Sequence, residues 1–378
     1  MSQVAVARVL VADDQSDVVI ALRLLLREAG FDADAAASVQ EVRDRLEAAP
    51  YDLLLMDLNY ARDTTSGREG LELLAEVHAR DPLLPVVVMT GWGSIDTAVE
   101  AMRRGARTFV HKPWDNATLA ATIRREVDDG RAARHVQRQA SREQEDAQVI
   151  QRALLPSDVP AIAGLQIAAR WQPASAFGGD YYDVLPLDDG QVAISIADVC
   201  GKGLPAALVM AHLQASSRAA VLADPSPRSV AARVNRELTA NPRLRRLVTA
   251  FCALYDAGTR QLTYSNAGHN PPLLVRRDGS VSRLTTGGMV LGACEVASYD
   301  EGDVTLAAGD RLILYTDGIT EAEDAAFEPY GEDRLACAAA RHAGQNATPL
   351  LAALFDDAAA FTAGRFRDDA TMLVAAVD

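Results

Sequence analysis

The chain has 378 residues, 49% of them hydrophobic, which is enough apolar material for two compact domains. Its 37 basic and 52 acidic residues give a formal net charge of −15, which argues against a nucleic-acid or anionic-membrane partner. Four widely spaced cysteines, no signal peptide and no apolar run long enough to cross a bilayer predict a cytoplasmic protein with reduced thiols.

From residue 8 to about residue 129, short apolar strands alternate with amphipathic helices. The pattern predicts strands over Val9–Ala12, Leu53–Met56, Val86–Met89 and Thr108–Val110, and helices over Val18–Ala29, Leu71–Ala79 and Ile95–Met102. Such alternation is typical of a doubly wound parallel α/β sheet, with a functional site at the carboxyl ends of its strands. We therefore expect a five-stranded domain over residues 6–125.

Polar residues follow these strands where the site is expected. Asp13 and Asp14 follow the first strand, Asp57 the third, Thr90 the fourth and Lys112 the fifth. This set resembles the receiver domain of bacterial two-component response regulators, whose strand order is 2-1-3-4-5. The stretch from 59 to 68 departs from that family, because it is longer and more polar than the usual loop.

The resemblance implies a phosphoryl-transfer site and a partner that supplies the phosphoryl group. Asp57 would accept it from a sensor histidine kinase or a phosphotransfer protein, and Lys112 would neutralise the phosphoryl oxygens. It implies one Mg²⁺ held by Asp13, Asp14, Asp57 and the Asn59 carbonyl, with Thr90 and Phe109 as the residues that move on phosphorylation.

The stretch 115–155 contains no proline and only one glycine, and is rich in Arg, Glu, Gln and Ala. It predicts a helix of about 60 Å at 1.5 Å per residue, with a linker over residues 126–156. A weak heptad seam runs through Ala133, Val136, Ala140, Glu143, Ala147, Ile150 and Leu154. The seam favours a homodimerising coiled coil, and the alternative is a solvated single helix that acts as a spacer.

The remainder, residues 157–378, reads as a second α/β domain. The pattern predicts strands over Asp183–Leu187, Gln191–Ala197, Leu247–Tyr255, Gln261–Asn266, Pro272–Arg276, Arg311–Thr316 and Ala370–Val377, with helices near 204–222 and 226–240 and two more late in the chain. Strands grouped around paired helices indicate an α/β sandwich.

One stretch of this second domain, Ile194–Leu208, carries an acid at a strand end. Asp198 closes an apolar run, and a turn on Gly201 and Gly203 leads into a helix. A buried carboxylate is costly unless it is paired or binds a cation. Asp180, Asp317 and Asp368 lie in three other short motifs, and a set of carboxylates without His or Cys is suited to magnesium or manganese.

Five motifs carry a second resemblance. They are Phe177–Asp183, Ala197–Leu208, Asn266–Pro272, Tyr315–Gly318 and Asp368–Thr371. Together they resemble the bacterial metal-dependent serine phosphatases of the protein phosphatase 2C-like group, which act on anti-anti-sigma factors in sporulation and stress signalling.

That resemblance implies two Mn²⁺ or Mg²⁺ ions that activate water for attack on a phosphoserine or phosphothreonine. Asp198 would bridge the two ions, with the Val199 carbonyl near one of them and Asp180 beside the pair. Asp317 and Asp368 would complete the second ion's ligands, with the adjacent Asp369 as the alternative.

Lysine usage supports both sites, because the chain has only two lysines, Lys112 and Lys202, and both fall inside these motifs. The alternative is chance survival in an arginine-rich sequence. His269, in the third phosphatase motif, reads as a loop-fixing residue rather than a general acid.

The sequence therefore predicts a response regulator, phosphorylated on Asp57, that controls a metal-dependent serine/threonine phosphatase. The expected substrate is a phosphorylated anti-anti-sigma protein of a partner-switching pathway. The alternative is a catalytically silent adaptor that sequesters a partner. A DNA-binding regulator is disfavoured, because no basic helix-turn-helix segment is present.

Overall fold

The computed structural model describes residues 5–59, 68–91, 95–156, 162–241 and 246–378. It divides into two compact units, Met1–Glu143 and Gln144–Asp378. Within the described ranges, no helix is long and apolar enough to cross a membrane.

The first unit is a parallel α/β sheet with helices on both faces. Its strands are β1 (Arg8–Ala12), β2 (Asp32–Ala36), β3 (Leu53–Asp57), β4 (Val86–Thr90) and β5 (Thr108–His111). Its helices are α1 (Ser16–Glu28), α2 (Val39–Ala48), α3 (Arg68–Arg80), α4 (Ile95–Arg103) and the first part of α5 (Asn116–Leu154). The strand order is 2-1-3-4-5, which confirms the predicted fold class.

The two faces of this sheet have separate cores. On one face, Leu22 of α1 and Ile123 of α5 pack against β1 and β3. On the other face, Val42 of α2 and Leu74 of α3 pack against the alternate side chains of the same strands. Because strands buried on both faces read as continuous apolar runs, β3 and β4 were located from the sequence.

The second strand and second helix were not located from the sequence. β2 reads Asp-Ala-Asp-Ala-Ala and lies at the sheet edge, where polar side chains are tolerated. Ser38 caps the start of helix α2, and its hydroxyl accepts from the Glu41 N–H at 3.2 Å. Of the predicted loop 59–68, residues 60–67 lie outside the described residues.

Helix α5 extends over 39 residues, as the proline-free stretch predicted. Arg131 makes paired bonds of 2.8 and 2.9 Å to the Asp52 carboxylate, and Arg134 lies 2.7 Å from Asp81. Along the predicted seam, Val136 is 67% and Ile150 is 64% exposed in the single chain. The homodimer and the boundaries at 125 and 156 stay predictions.

The second unit is a four-layer α/β sandwich, which confirms that expectation. Its strands are β6 (Leu165–Gln172), β7 (Tyr181–Pro186), β8 (Gln191–Val199), β9 (Val248–Asp256), β10 (Gln261–Ala267), β11 (Leu273–Val275), β12 (Val281–Arg283), β13 (Gly287–Gly288), β14 (Gly302–Thr305), β15 (Arg311–Tyr315) and β16 (Ala370–Val377). Its helices are α6 (Leu204–Ala223), α7 (Pro227–Ala240), α8 (Asp317–Thr320), α9 (Glu332–Arg341) and α10 (Ala347–Phe361), with a 3₁₀ turn at Asp188–Gly190.

Two sheets form the middle layers of the sandwich. One has the order β13-β10-β9-β8-β7 with β14 on β10, and the other has the order β12-β11-β15-β16-β6. Ile194 and Phe251 of the first sheet share a core with Leu314 and Leu373 of the second. Helices α6 and α7 cover the outer face of the first sheet, and α9 and α10 cover the outer face of the second. Of the predicted acids, Asp198 lies on β8 and Asp180 directly precedes β7, while Asp317 is the first residue of α8 after β15 and Asp368 and Asp369 directly precede β16.

Candidate functional sites

The first candidate site lies at the carboxyl ends of β1, β3 and β5. Lys112 Nζ is 2.7 Å from Asp13 Oδ2 and 2.7 Å from Asp57 Oδ2, so one ammonium group bridges two buried carboxylates. The Lys112 N–H also donates to the Thr90 carbonyl at 2.7 Å, and the Asn59 N–H donates to Asp57 Oδ1 at 3.4 Å. The structure thus brings together five residues that the sequence placed here, with Thr90 and Asn59 joined through their backbone groups.

The electrostatics of this site favour a charged lysine. Burial raises the pKa of the Asp57 carboxyl, and the neighbouring Asp13 adds to that rise, while the Lys112 hydrogen bond opposes it. Burial alone would lower the pKa of Lys112, but its bonds to Asp13 and Asp57 outweigh burial and raise it. The site therefore holds a fixed cation beside the predicted phosphoacceptor.

Two predicted residues of this site lie further out. Asp14 is partly exposed and, within the described residues, makes no hydrogen bond to the lysine or its partners. Phe109 is 44% exposed and meets His111 edge-on, with ring centroids 6.1 Å apart. Their predicted roles in metal binding and switching stay predictions.

The second candidate site begins where β8 ends. Asp198 and Val199 are the last residues of the strand, and the turn that follows uses positive φ at Gly201 (108°) and Gly203 (71°). Arg246 Nη1 lies 2.7 Å from the Cys200 carbonyl and would be 2.2 Å from a Cβ on Gly201. This turn therefore favours glycine because of its positive φ, and a side chain at position 201 would also displace the Arg246 guanidinium from the Cys200 carbonyl.

Asp180, just before β7, is the most deeply buried acid of this site. Its Oδ2 accepts from Thr316 Oγ1 at 2.8 Å and from Thr371 Oγ1 at 2.5 Å. Burial raises the pKa of the Asp180 carboxyl well above its ordinary value, and the charge of Asp198 adds to the rise. The two hydroxyls orient one carboxylate oxygen and leave the other free of them.

The adjacent acids Asp368 and Asp369 have different surroundings. Asp368 has a half-exposed side chain whose Oδ2 lies 3.0 Å from Lys202 Nζ. Asp369 instead accepts two backbone bonds, from the Ala174 N–H at 2.8 Å and the Gly179 N–H at 2.6 Å. The geometry gives Asp369 a loop-fixing role and leaves Asp368 as the better candidate for a metal ligand.

Asp198 and Asp317 add negative charge to the second candidate site. Burial raises the pKa of Asp198 to about 7, with further contributions from Asp317, Asp368 and Asp369. Burial also raises the pKa of Asp317, which opens helix α8. Several carboxylates that raise one another's pKa form a site that a cation would stabilise.

The residues fit a hard divalent cation by the chemistry of their donors. All the predicted side-chain donors are carboxylates, which is the ligand class that Mg²⁺ and Mn²⁺ prefer. Among the described residues, no three Asp, Glu, His or Cys side chains are already arranged to hold one ion. The fit therefore rests on donor chemistry and unbalanced charge rather than on a preset coordination geometry.

His269 lies in the turn after β10. Its ring Nδ1 is 2.9 Å from Thr249 Oγ1, and the backbone N–H of His269 donates to Asn266 Oδ1 at 2.7 Å. Burial lowers the pKa of the imidazole to about 4, against a smaller opposing effect of the Tyr315 carbonyl. A neutral, hydrogen-bonded histidine matches the loop-fixing role that the sequence predicted.

Sequence reasoning missed four residues that shape this site. Thr316 and Thr371 orient Asp180, Arg246 supports the Gly201 turn, and Gln151 of α5 binds Gly178. The two threonines stand inside motifs that the sequence singled out, directly beside an acid or two residues after one, so position alone could have marked them. No local pattern marks Gln151 or Arg246.

Two family sequence models match this chain. The sequence model of stage II sporulation protein E matches residues 188–378, half of the chain, and that of the response regulator receiver domain matches residues 9–124. The chain belongs to the stage II sporulation protein E family. Its family domain is joined to an N-terminal receiver domain by helix α5, as the two resemblances predicted.

Among the relatives of this family member is the phosphoserine phosphatase RsbU of Bacillus subtilis. The two are 34% identical over 189 residues, which cover 50% of this chain and 56% of RsbU. The Synechocystis protein IcfG is 30% identical over 220 residues, 51% of this chain and 35% of IcfG. The chain thus spans about half or less of the length of these curated relatives.

Solved structures resemble the family domain as well. The RsbU and RsbW domains of Rv1364c from Mycobacterium tuberculosis match with a TM-score of 0.52 at 28% identity, over 59% of this chain and 63% of that one. The PP2C domain of SiaA from Pseudomonas aeruginosa matches with a TM-score of 0.57 at 24% identity, over 64% of this chain and 99% of that one. The second likeness shows the fold alone.

Proposed function

We propose that this family member is a metal-dependent serine/threonine protein phosphatase controlled by phosphorylation of its receiver domain. The observation that carries the proposal is the cluster of Asp180, Asp198, Asp317 and Asp368, in which Asp198 has a pKa of about 7. The proposed domains are the receiver over residues 6–125, the linker over 126–156 and the phosphatase over 157–378.

Two divalent ions, Mn²⁺ or Mg²⁺, would be held by Asp198, the Val199 carbonyl, Asp180, Asp317 and Asp368. Bound there, they would activate water for the hydrolysis of a phosphate ester.

The chain's own residues prepare this centre. Thr316 and Thr371 fix the orientation of Asp180, and Asp369 holds Gly179 in place through its N–H. Lys202 balances part of the charge of Asp368.

In the receiver, Asp57 accepts a phosphoryl group from a histidine kinase or a phosphotransfer protein. Lys112, already 2.7 Å from Asp57, supplies the positive charge that lets an anionic donor approach. Asp13, Asp14, Asp57 and the Asn59 carbonyl would hold Mg²⁺, and Thr90 and Phe109 would respond to phosphorylation.

The proposed substrate is a phosphorylated anti-anti-sigma protein. Similarity to a phosphoserine phosphatase supports the chemical class, and the motif resemblance supports the pathway. The seam of α5 is proposed to join two copies of the chain in a homodimer. A silent adaptor is the second candidate, and the lack of a preset three-donor group within the described residues favours it.

Hydrolysis of an aryl phosphate by the full chain in Mn²⁺ separates these candidates. The phosphatase proposal predicts turnover that EDTA and Asp198→Asn abolish and that the exposed control Asp188→Asn preserves. Loss of turnover in Asp198→Asn with Mn²⁺ binding intact would assign Asp198 a role other than metal ligation. A folded wild-type chain that binds Mn²⁺ but hydrolyses neither an aryl phosphate nor a phosphoserine protein would favour the adaptor.

A further inference from the structure

One side chain near the end of α5 binds both backbone polar groups of a single glycine. Gln151 Nε2 donates to the Gly178 carbonyl at 2.6 Å, and the Gly178 N–H donates to Gln151 Oε1 at 3.2 Å. Gln151 is only 5% exposed, and Gly178 is buried as well. A primary amide offers a donor and an acceptor side by side, so it pairs with one residue as a neighbouring strand would.

The glycine it binds begins the short segment 178–180, which ends at Asp180. A Cβ on Gly178 would lie 2.8 Å from Trp171 Cζ2, and a Cβ on Gly179 would lie 2.9 Å from the Val199 carbonyl oxygen. The two glycines thus lie in a slot with no room for side chains. They lead directly into Asp180, and Gly179 lies against the Val199 carbonyl.

We propose that Gln151 is a positioning residue for the metal centre, an inference that rests on the proposed function. It fixes segment 178–180, and through that segment it fixes Asp180 and the Val199 carbonyl. Without the amide, the buried N–H and C=O of Gly178 have lost their partner, and the segment must shift to find another. Outer groups that orient metal ligands typically change metal affinity or activity by about 10–100-fold when they are replaced.

Two substitutions of Gln151 and one control test this role in the full chain. Gln151→Met keeps the length of the side chain and removes both bonds. Gln151→Glu keeps an acceptor for the Gly178 N–H. Its ionised carboxylate would repel the Gly178 carbonyl oxygen, and protonation of the carboxyl would remove that repulsion. Gln144→Met changes an exposed glutamine on the same helix and serves as the matched control.

The direct readout is Mn²⁺ affinity measured by titration calorimetry, with Asp13→Asn and Asp14→Asn also present so that the receiver does not contribute. We expect Gln151→Met to weaken Mn²⁺ binding by about 10–100-fold and Gln144→Met to leave it unchanged. In aryl phosphate hydrolysis at saturating Mn²⁺, kcat of Gln151→Met falls about tenfold or more while KM stays within about twofold. Relative to wild type at the same pH, Gln151→Glu recovers activity between pH 8 and pH 6, because its protonated form again offers a donor and an acceptor.

A Gln151→Met chain that lowers only the unfolding temperature, with wild-type Mn²⁺ affinity and turnover, would overturn the inference. If that variant does not fold, a folded Gln151→Glu chain with wild-type Mn²⁺ affinity and turnover throughout pH 6 to 8 would overturn it. Failure of the proposed function would look different. In that case the wild-type chain itself would neither bind Mn²⁺ nor hydrolyse phosphate esters.

Discussion

Replacing Asp198 with asparagine should stabilise the metal-free protein while it destroys the metal site. Burial and neighbouring acids raise the pKa of Asp198 from 3.8 to about 7. In the unfolded chain the carboxyl titrates near its ordinary value, so the folded state binds more protons between these two values. The favourable contribution is complete below about pH 4 and is lost as the pH rises through about 7.

The size of the effect follows from the two pKa values. A difference of about three pKa units corresponds to about 4 kcal/mol at pH 8. The asparagine amide lacks full hydrogen bonding, which costs about 1 kcal/mol of stability. The net stabilisation by Asp198→Asn is therefore about 2–3 kcal/mol. For a domain of 150–250 residues, this gain raises the unfolding temperature by about 4–12 °C.

Differential scanning calorimetry of the full chain in EDTA measures the effect, since it separates the transitions of the two units. We expect Asp198→Asn to raise one transition at pH 8 and to lose more than half of that gain at pH 5. The exposed Asp188→Asn should do neither. Added Mn²⁺ should raise that same transition in wild type and leave it unchanged in Asp198→Asn. A variant that is no more stable than wild type at pH 8, or that gains equally at both pH values, would refute the reasoning.

Three further predictions follow from single contacts. Asp368→Asn should weaken Mn²⁺ binding with little loss of stability, because its half-exposed carboxylate accepts one backbone N–H, that of the adjacent Asp369. Asp369→Asn should lower the free energy of unfolding by about 1–3 kcal/mol, because both of its buried oxygens accept backbone N–H groups and one of them is replaced. Calorimetry of both variants checks the pair, and the reverse pattern would exchange their roles. Thr371→Val removes a hydroxyl that orients Asp180 and should reduce aryl phosphate turnover about tenfold, and unchanged kinetics would refute the role of this hydroxyl. Lys112→Met leaves two buried carboxylates unpaired and should abolish phosphoryl uptake from a labelled small-molecule phosphodonor, and undiminished labelling would contradict its place at the site.

Apolar periodicity was enough to predict most of the fold. Strands β3, β4 and β16 are buried along their whole length and read as continuous apolar runs. Strand β2 was not predicted, because an edge strand tolerates polar side chains and this one carries two aspartates. Strand β6 was missed because its buried and partly exposed side chains alternate without a clear period.

The candidate sites divide in the same way. An acid that follows an apolar strand or adjoins a glycine turn is recognisable from its neighbours in the sequence. Asp57 and Asp198 were predicted in this way. Contacts between distant segments do not, because pairs such as Gln151 with Gly178 and Asp369 with Gly179 depend on the packed tertiary structure. Sequence alone also left Asp368 and Asp369 interchangeable, and their partners in the structure distinguish them.

Control of metal-dependent hydrolysis by the receiver can be tested in a single assay. Phosphatase activity of the full chain on a phosphoserine protein would be measured in Mn²⁺, with and without beryllofluoride as a phosphoryl mimic at Asp57. We expect activity that depends on Mn²⁺ and changes with beryllofluoride, and we expect the mimic to have no effect on an Asp57→Asn chain. Equal activity with and without the mimic in the wild-type chain, with beryllofluoride bound, would contradict control by the receiver.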